Sequence, residues 1–243
     1  MLMDGVAGST DDHESDFGAL TEIARAMHVP SGDLDQTLDA ITRAAVAALD
    51  QADDAGLILI SKDRLQPVAA TGLRPQRLDE LQQRLGSGPC FDTARSQQVT
   101  LVSELQRDPR WAELHEAAVE LGVVSLACVP LRVGSRTTGA LTLYSAERDA
   151  FDGVDLSYVE LFATLAALAL ADAQRADQLR TALASRDVLG QAKGILMERF
   201  RIDADEAFTR LSTASQVTNT KVTVVAEHLV ATGELLAPGS RPR

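Results

Sequence analysis

Apolar residues along this chain recur with two periods, and the change of period divides it. From Phe17, the residues Leu20, Ile23, Ala24 and Met27 make a helical stripe, which Pro30-Ser31-Gly32 interrupts. Asp33 is placed to cap a second helix, with Leu34, Leu38, Ile41, Ala45 and Leu49 on one face. Short apolar runs bounded by turn residues then predict strands at 56–61, 65–71, 99–102, 123–133 and 138–144. Asp63-Arg64 and Gly134-Ser135 supply two of the turns. Helices are predicted at 76–85, after Pro89, and from Pro109 to Leu121, where Trp111, Leu114 and Ala118 share a face. Strands with helices between and around them imply an α+β sandwich rather than a doubly wound sheet.

The helical period takes over after residue 155. Between Asp155 and Phe200 there is no proline, and the only glycines are Gly190 and Gly194. Leu161, Leu165, Leu168, Leu179, Ala182, Leu183 and Leu189 lie near a heptad stripe that Asp172, Arg175 and Arg186 interrupt. A helix of that length exceeds what one small domain can bury, so pairing with a second copy as an imperfect parallel coiled coil is expected. The last part, Ser185 to Leu236, carries three short stripes. The first holds Leu189, Ala192, Leu196 and Phe200. The second, capped by Asp203 or Asp205, holds Ala207, Phe208, Leu211 and Ala214. The third, opened by Asn219 or Thr220, holds Val222, Val225, Ala226, Leu229 and Val230, and Gly233 closes it. Three short helices with narrow stripes bury them against one another, as a three-helix bundle.

The residues of that bundle add to its period. Gln191-Ala192-Lys193-Gly194-Ile195-Leu196-Met197, followed by Glu206-Ala207-Phe208, Leu211, Ser215-Gln216, Asn219, Lys221 and Val225-Ala226, resembles the ANTAR family signature. The resemblance implies a transcription antiterminator that holds paired RNA stem-loops of nascent transcripts. It marks Ala192, Gly194, Ala207, Phe208, Leu211 and Ala226 as the core signature; Lys193 and Lys221 of the matched pattern, with the basic residues Arg186, Arg199 and Arg201 beside it, are the candidate RNA contacts. Arg186 and Arg199 are expected near the flank of the first helix that carries Lys193. Gly88-Pro89-Cys90 with Ala94, Asp108-Pro109-Arg110-Trp111, Val129-Pro130-Leu131 and Gly139-Ala140-Leu141 resemble a GAF domain. That likeness implies an antiparallel sheet of five or six strands, with helices on one face and a ligand cavity on the other.

Charge complicates the RNA expectation. The chain carries a net charge of −12, which repels RNA and anionic membranes unless basic residues gather locally. Ser185–Leu236 holds six basic and seven acidic residues, a segment charge of −1. An alternative therefore stays open: a GAF-mediated dimeric regulator whose bundle binds a protein, with weak or no RNA binding. The two readings share the rest. Hydrophobic content of 45% and charged content of 24% are ordinary for a globular chain. Two cysteines, Cys90 and Cys128, make no disulfide framework, and a reducing cytoplasm is the simplest setting. The opening lacks the positive charge and apolar run of a signal peptide, and no membrane partner is expected.

The four histidines, His13, His28, His115 and His228, are scattered, and no metal or catalytic constellation is expected. Gly86-Ser87-Gly88 lacks the lysine of a phosphate loop and reads as a turn. Cys90, after that loop, is the candidate sensor thiol, and Cys128 reads as a small core residue on its strand. The expected organisation is a disordered tail at 1–15, a GAF sensor at 16–172, a connecting coiled-coil helix at 173–184, an ANTAR RNA-binding domain at 185–236 and a tail at 237–243. Any cofactor would be a small-molecule ligand of the sensor domain, of unknown identity, with a signalling protein as the other candidate input.

Overall fold

The computed structural model describes residues 21–61, 64–134 and 136–236. The expected tails at 1–15 and 237–243, and Phe17, Leu20, His13, Asp63 and Ser135, lie outside the described residues. The chain divides into two compact units, Met1–Arg175 and Ala176–Arg243.

In the first unit, residues 21–27 are helical and lead into α1 (Leu34–Ala48). Asp33 starts α1, its Oδ1 accepting the amide of Gln36 at 2.9 Å. β1 (Asp54–Ser61) and β2 (Arg64–Ala70) form a hairpin. Then come α2 (Leu73–Leu85), α3 (Pro89–Ser96) and β3 (Thr100–Val102). Two 3-10 turns, Leu105–Arg107 and Pro109–Leu114, precede α4 (His115–Leu121). β4 (Ser125–Val133) and β5 (Arg136–Ser145) complete the sheet. Its strand order is β2-β1-β5-β4-β3, with every neighbouring pair antiparallel. The helix expected over Pro109–Leu121 is broken at Trp111, whose φ of −134° and ψ of 53° leave the helical region.

The alternation of strand residues assigns the two faces. Leu57 and Leu59 of β1, Val129 and Leu131 of β4, and Leu141 and Leu143 of β5 pack under α1 and the start of α5 (Leu156–Phe200). Ile58, Leu126, Cys128 and Tyr144 point the other way, under Leu78 of α2, Cys90 of α3, and Leu105, Trp111 and Leu114. Helices therefore cover both faces, rather than one as expected. The physical reason is legible in β4, where seven successive residues from Ser125 to Leu131 are buried, so neither side of that strand is left for solvent. Gly139 of β5 pairs with Leu59 of β1. A Cβ there would lie 2.0 Å from the carbonyl oxygen of Ile58, so only glycine lets the two strands approach.

Helix α5 is 45 residues long and contributes to both units. By length and hydropathy it is the one described helix able to cross a membrane. Its apolar start is nevertheless a core helix, with Phe162, Ala166 and Leu170 buried against the sheet.

The second unit joins the end of α5 to α6 (Ala204–Thr218) and α7 (Val222–Thr232). Ala192, Leu196, Ala207, Leu211, Val225, Ala226, Leu229 and Leu236 form its core. Asp203 caps α6, its Oδ1 accepting the amides of Asp205 and Glu206. Asn219 does not open α7. It ends α6 in the left-handed conformation, φ 50°, and Lys221 takes the position before α7; Asn tolerates that φ at a helix end. Gly233 closes α7 at φ 78°. Phe208, expected in the core, is 45% exposed. Ala207 and Leu211, four apart, hold the centre of the inward stripe, and Phe208 sits 100° round the helix from Ala207. Phe200 is likewise 44% exposed, with the Arg210 guanidinium 4.5 Å from its ring centre. Gly194 is exposed too, and a Cβ on it would meet nothing within 4 Å.

Candidate functional site

Each unit offers one place where polar chemistry concentrates. In the first it is a buried cluster between α2, α3 and the sheet. Asp79 is carried inward by α2, on the same face as Leu78 and Gln82. Its Oδ1 accepts the Tyr144 hydroxyl at 2.5 Å, the Gln82 side-chain amide at 3.2 Å and the Cys90 thiol at 3.5 Å. Its Oδ2 has no hydrogen-bond partner among the described residues. That oxygen occupies the space a side chain on Gly56 would fill, 2.3 Å from where the Cβ would stand. Cys90 and Cys128 stand 3.9 Å apart, and each thiol also meets the Thr142 hydroxyl, at 3.1 and 3.3 Å.

The electrostatics follow from burial. Removal from water raises the Asp79 carboxyl to about 7, against the opposing hydrogen bonds from Tyr144 and Cys90. Burial likewise pushes the Tyr144 hydroxyl and the Cys90 thiol well up, helped at Cys90 by the neighbouring Cys128 and Asp79. The cluster therefore holds one group that exchanges a proton near neutrality, and one thiol, Cys90, that burial keeps in its unreactive protonated form. Both cysteines are fully buried.

The Gly86-Ser87-Gly88 loop serves this cluster. A Cβ at Gly88 would meet Gln82 Oε1 at 2.2 Å, and that oxygen accepts the Cys90 amide at 3.1 Å. Beside the loop opens a groove of about 540 Å³. Ile60, Leu65 and Phe91 give it an apolar lining, and Arg64 and Arg95 give it positive charge. Trp111 packs in the core and donates its indole N–H to Asp92 at 3.0 Å. His115 meets the carbonyl of Asp108 at 2.8 Å, and His228 is half-buried. Among the described residues no group of three or more His, Cys, Asp or Glu is placed to hold a metal ion.

The second place is the outer face of α5 in the second unit. Arg186 is exposed and Lys193 half-buried. At 100° per residue Arg186, Gly190, Lys193 and Met197 fall within about 60° of one another. Neither Gly190 nor Gly194 would bring a Cβ near other atoms of the chain. Arg199 does not join this row. Six residues advance about 240° from Lys193, which turns its guanidinium towards the end of α7, where it donates to the Gly233 carbonyl at 2.5 Å. Arg201 follows the helix at φ 55°, and Arg201 and Lys221 are both exposed. Ala192, Ala207, Leu211 and Ala226 of the signature are fully buried, whereas Gly194 and Phe208 are surface residues.

Sequence reading missed Asp79, Gln82, Thr142 and Tyr144, which sit in unremarkable helix and strand positions. The available signal was glycine inside strands. Gly56 and Gly139 mark close approaches, and Gly56 faces the carboxylate.

A sheet unit that encloses a polar cluster is followed, through α5, by a small helical bundle. Residues 31–171 match the GAF domain family and residues 177–230 match the ANTAR domain family. The chain belongs to the GAF family and has the GAF–ANTAR architecture, a sensor domain joined to an RNA-binding antitermination module. No curated protein matches it. Among solved structures it is similar to the GAF domain of an Acinetobacter phosphoenolpyruvate-protein phosphotransferase. There the identity is 16% and the TM-score 0.53, over 69% of this chain and 98% of that one. A free methionine-R-sulfoxide reductase from Neisseria meningitidis, solved with its substrate, matches at 19% and 0.53 over 72% and 99%. A GAF sensor protein from Burkholderia vietnamiensis matches at 18% and 0.51 over 66% and 98%. At these identities the likeness is one of fold. The two matched domains are regulatory in kind, although that fold also serves an enzyme.

Proposed function

We propose that this protein is a cytoplasmic, dimeric regulator without catalytic activity, which binds paired stem-loops of nascent RNA and controls transcription termination. Its signal enters the GAF unit as a small molecule or a signalling protein. The observation that carries this reading is the Arg186–Lys193 row. Neither side chain makes an ion pair among the described residues, and the flanking Gly190 and Gly194 remove the side chains that would hold a phosphate backbone away. Arg201 and Lys221, also without ion pairs among the described residues, extend the basic surface. Phosphate contacts dominate such binding, and each one lost weakens affinity and flattens its salt dependence by about one unit of slope.

A gel-shift titration with a two-stem-loop RNA at two salt concentrations tests it. Arg186→Ala with Lys193→Ala should weaken binding at least about tenfold and leave the melting curve unchanged, and Arg199→Ala should matter less. Affinity of the double variant within twofold of the parent would remove this face as the RNA surface. The segment charge of −1 and the exposed Met197, Phe208 and Val217 favour a second reading, a bundle that docks a protein. That reading is selected if the intact protein shifts no such RNA at low salt.

A further inference from the structure

Both faces of the sheet are packed, yet the first unit keeps an opening with a chemistry of its own. On the side of α2 and α3, Ile58, Leu78, Cys90, Trp111, Leu126 and Tyr144 are all buried over the strands. A ligand finds no room between sheet and helices there. What stays open is the groove of about 540 Å³ where the end of the β1–β2 hairpin meets the end of α2 and the start of α3. Small-molecule sites span about 300 to 1,000 Å³, so its size is suitable.

Its lining has two characters. Ile60 and Leu65 are partners across the hairpin, so both side chains leave the same face of the pair. With Phe91 of α3 they give the groove its apolar wall. Arg64 and Arg95 are exposed beside them, and the Arg95 guanidinium lies 5.9 Å from the centre of the Phe91 ring. No lining residue is acidic. Neither arginine makes an ion pair among the described residues. The chain carries 35 acidic residues against 23 basic ones, so two unneutralised guanidinia beside one apolar groove stand out from its surface. An apolar occupant would leave both cations unanswered, and an inorganic anion would leave the apolar wall wet. A molecule with an acid group on an apolar body answers both, and the planar fork of a guanidinium matches a carboxylate in two parallel hydrogen bonds.

We infer that this groove binds a small organic carboxylate, its acid group held by Arg64 and Arg95 and its apolar body by Ile60, Leu65 and Phe91. The inference rests on the reading of the sheet unit as the sensor and names the class of its ligand. Such a ligand bridges elements that already touch, since Gln83 of α2 donates to the Leu65 carbonyl at 3.3 Å. It also reaches Trp111, because Asp92, next to Phe91, accepts the indole N–H.

Titration of the full chain with phenylbutyrate tests it, followed by Trp111 fluorescence and by thermal unfolding. The acid should change the fluorescence and raise the melting temperature. Phenylbutanol keeps the body without the charge, and acetate keeps the charge without the body; each should bind at least about tenfold more weakly. Arg64→Gln with Arg95→Gln, both at exposed positions, should weaken the acid by a similar factor and leave the free protein's melting temperature unchanged. Equal affinity for acid and alcohol, or unchanged affinity in the double variant, would overturn the role of the arginines. Acetate binding as tightly as the acid would overturn that of the apolar wall. Tighter binding of phenyl phosphate would overturn the carboxylate class. No response to millimolar acid would overturn the groove as a ligand site, and the RNA gel shift, which does not involve this groove, decides the other reading separately.

Discussion

Replacing Asp79 with Asn isolates the energetic consequence of the buried carboxyl. The residue is 1% exposed and one of its oxygens has no hydrogen-bond partner among the described residues, so its charged form is poorly solvated in the folded state. Burial lifts its pKa from the ordinary 3.8 to about 7. Because the folded value is the higher one, the protonated carboxyl stabilises the fold fully below about pH 4. That contribution is lost progressively as pH rises to about 7, and the difference is constant above it. At about 1.36 kcal/mol for each pH unit between those two values, the loss amounts to about 4 kcal/mol. The amide keeps an acceptor for Tyr144 and cannot ionise, so it lacks this dependence. Urea unfolding is followed by fluorescence of Trp111, the chain's single tryptophan, which is buried in the same cluster of side chains as Cys90 and Tyr144. Between pH 4 and pH 8 the parent should lose stability relative to Asp79→Asn by about 4 kcal/mol. A stability difference that stays flat within about 0.5 kcal/mol across that range would refute the reasoning and place a counter-charge or water against the free oxygen.

Two further substitutions probe the packing. Gly139→Ala drives a methyl to within 2.0 Å of the Ile58 carbonyl, so β1 and β5 must part; the variant should unfold at lower urea or fail to express folded, and an unchanged Trp111 transition would contradict that close approach. In the second unit, Leu211→Ala at a fully buried site should cost about 2 to 5 kcal/mol, while Phe208→Ala, 45% exposed, should cost about 1 kcal/mol. Far-ultraviolet circular dichroism of the helical melt checks both, and equal losses would mean that Phe208 is buried after all.

Residue pattern alone determined much of this protein. The two periods placed the five strands to within a few residues and most helices as well, because a strand buried on one or both faces and a helix buried on one stripe leave different signatures in the order of residues. Caps were legible where a side chain bonds its own neighbours, as Asp33 and Asp203 do, and so was the glycine that closes α7. A signature combining Ala192, Lys193, Gly194 and Leu211 was likewise readable as a resemblance to the ANTAR family, and Ala192 and Leu211 are its fully buried positions.

Tertiary structure decided what depends on which elements meet. Asp79 is one acidic residue among the 35 acidic residues of the chain until α2 carries it beneath the sheet to Tyr144 and Cys90. Sequence distance hides that meeting, because 65 residues separate Asp79 from Tyr144. Arg199 is turned about 240° away from Lys193 by the helix period itself, and only the fold shows the partner it meets there, the carbonyl of Gly233 at the end of α7. Phe208 looked like core until Ala207 and Leu211 took the inward positions. Local preference sets the period of an element, but the identity of its neighbours is fixed only when long-range burial selects one packing. A side chain's pKa and exposure belong to that packing, not to its place in the chain.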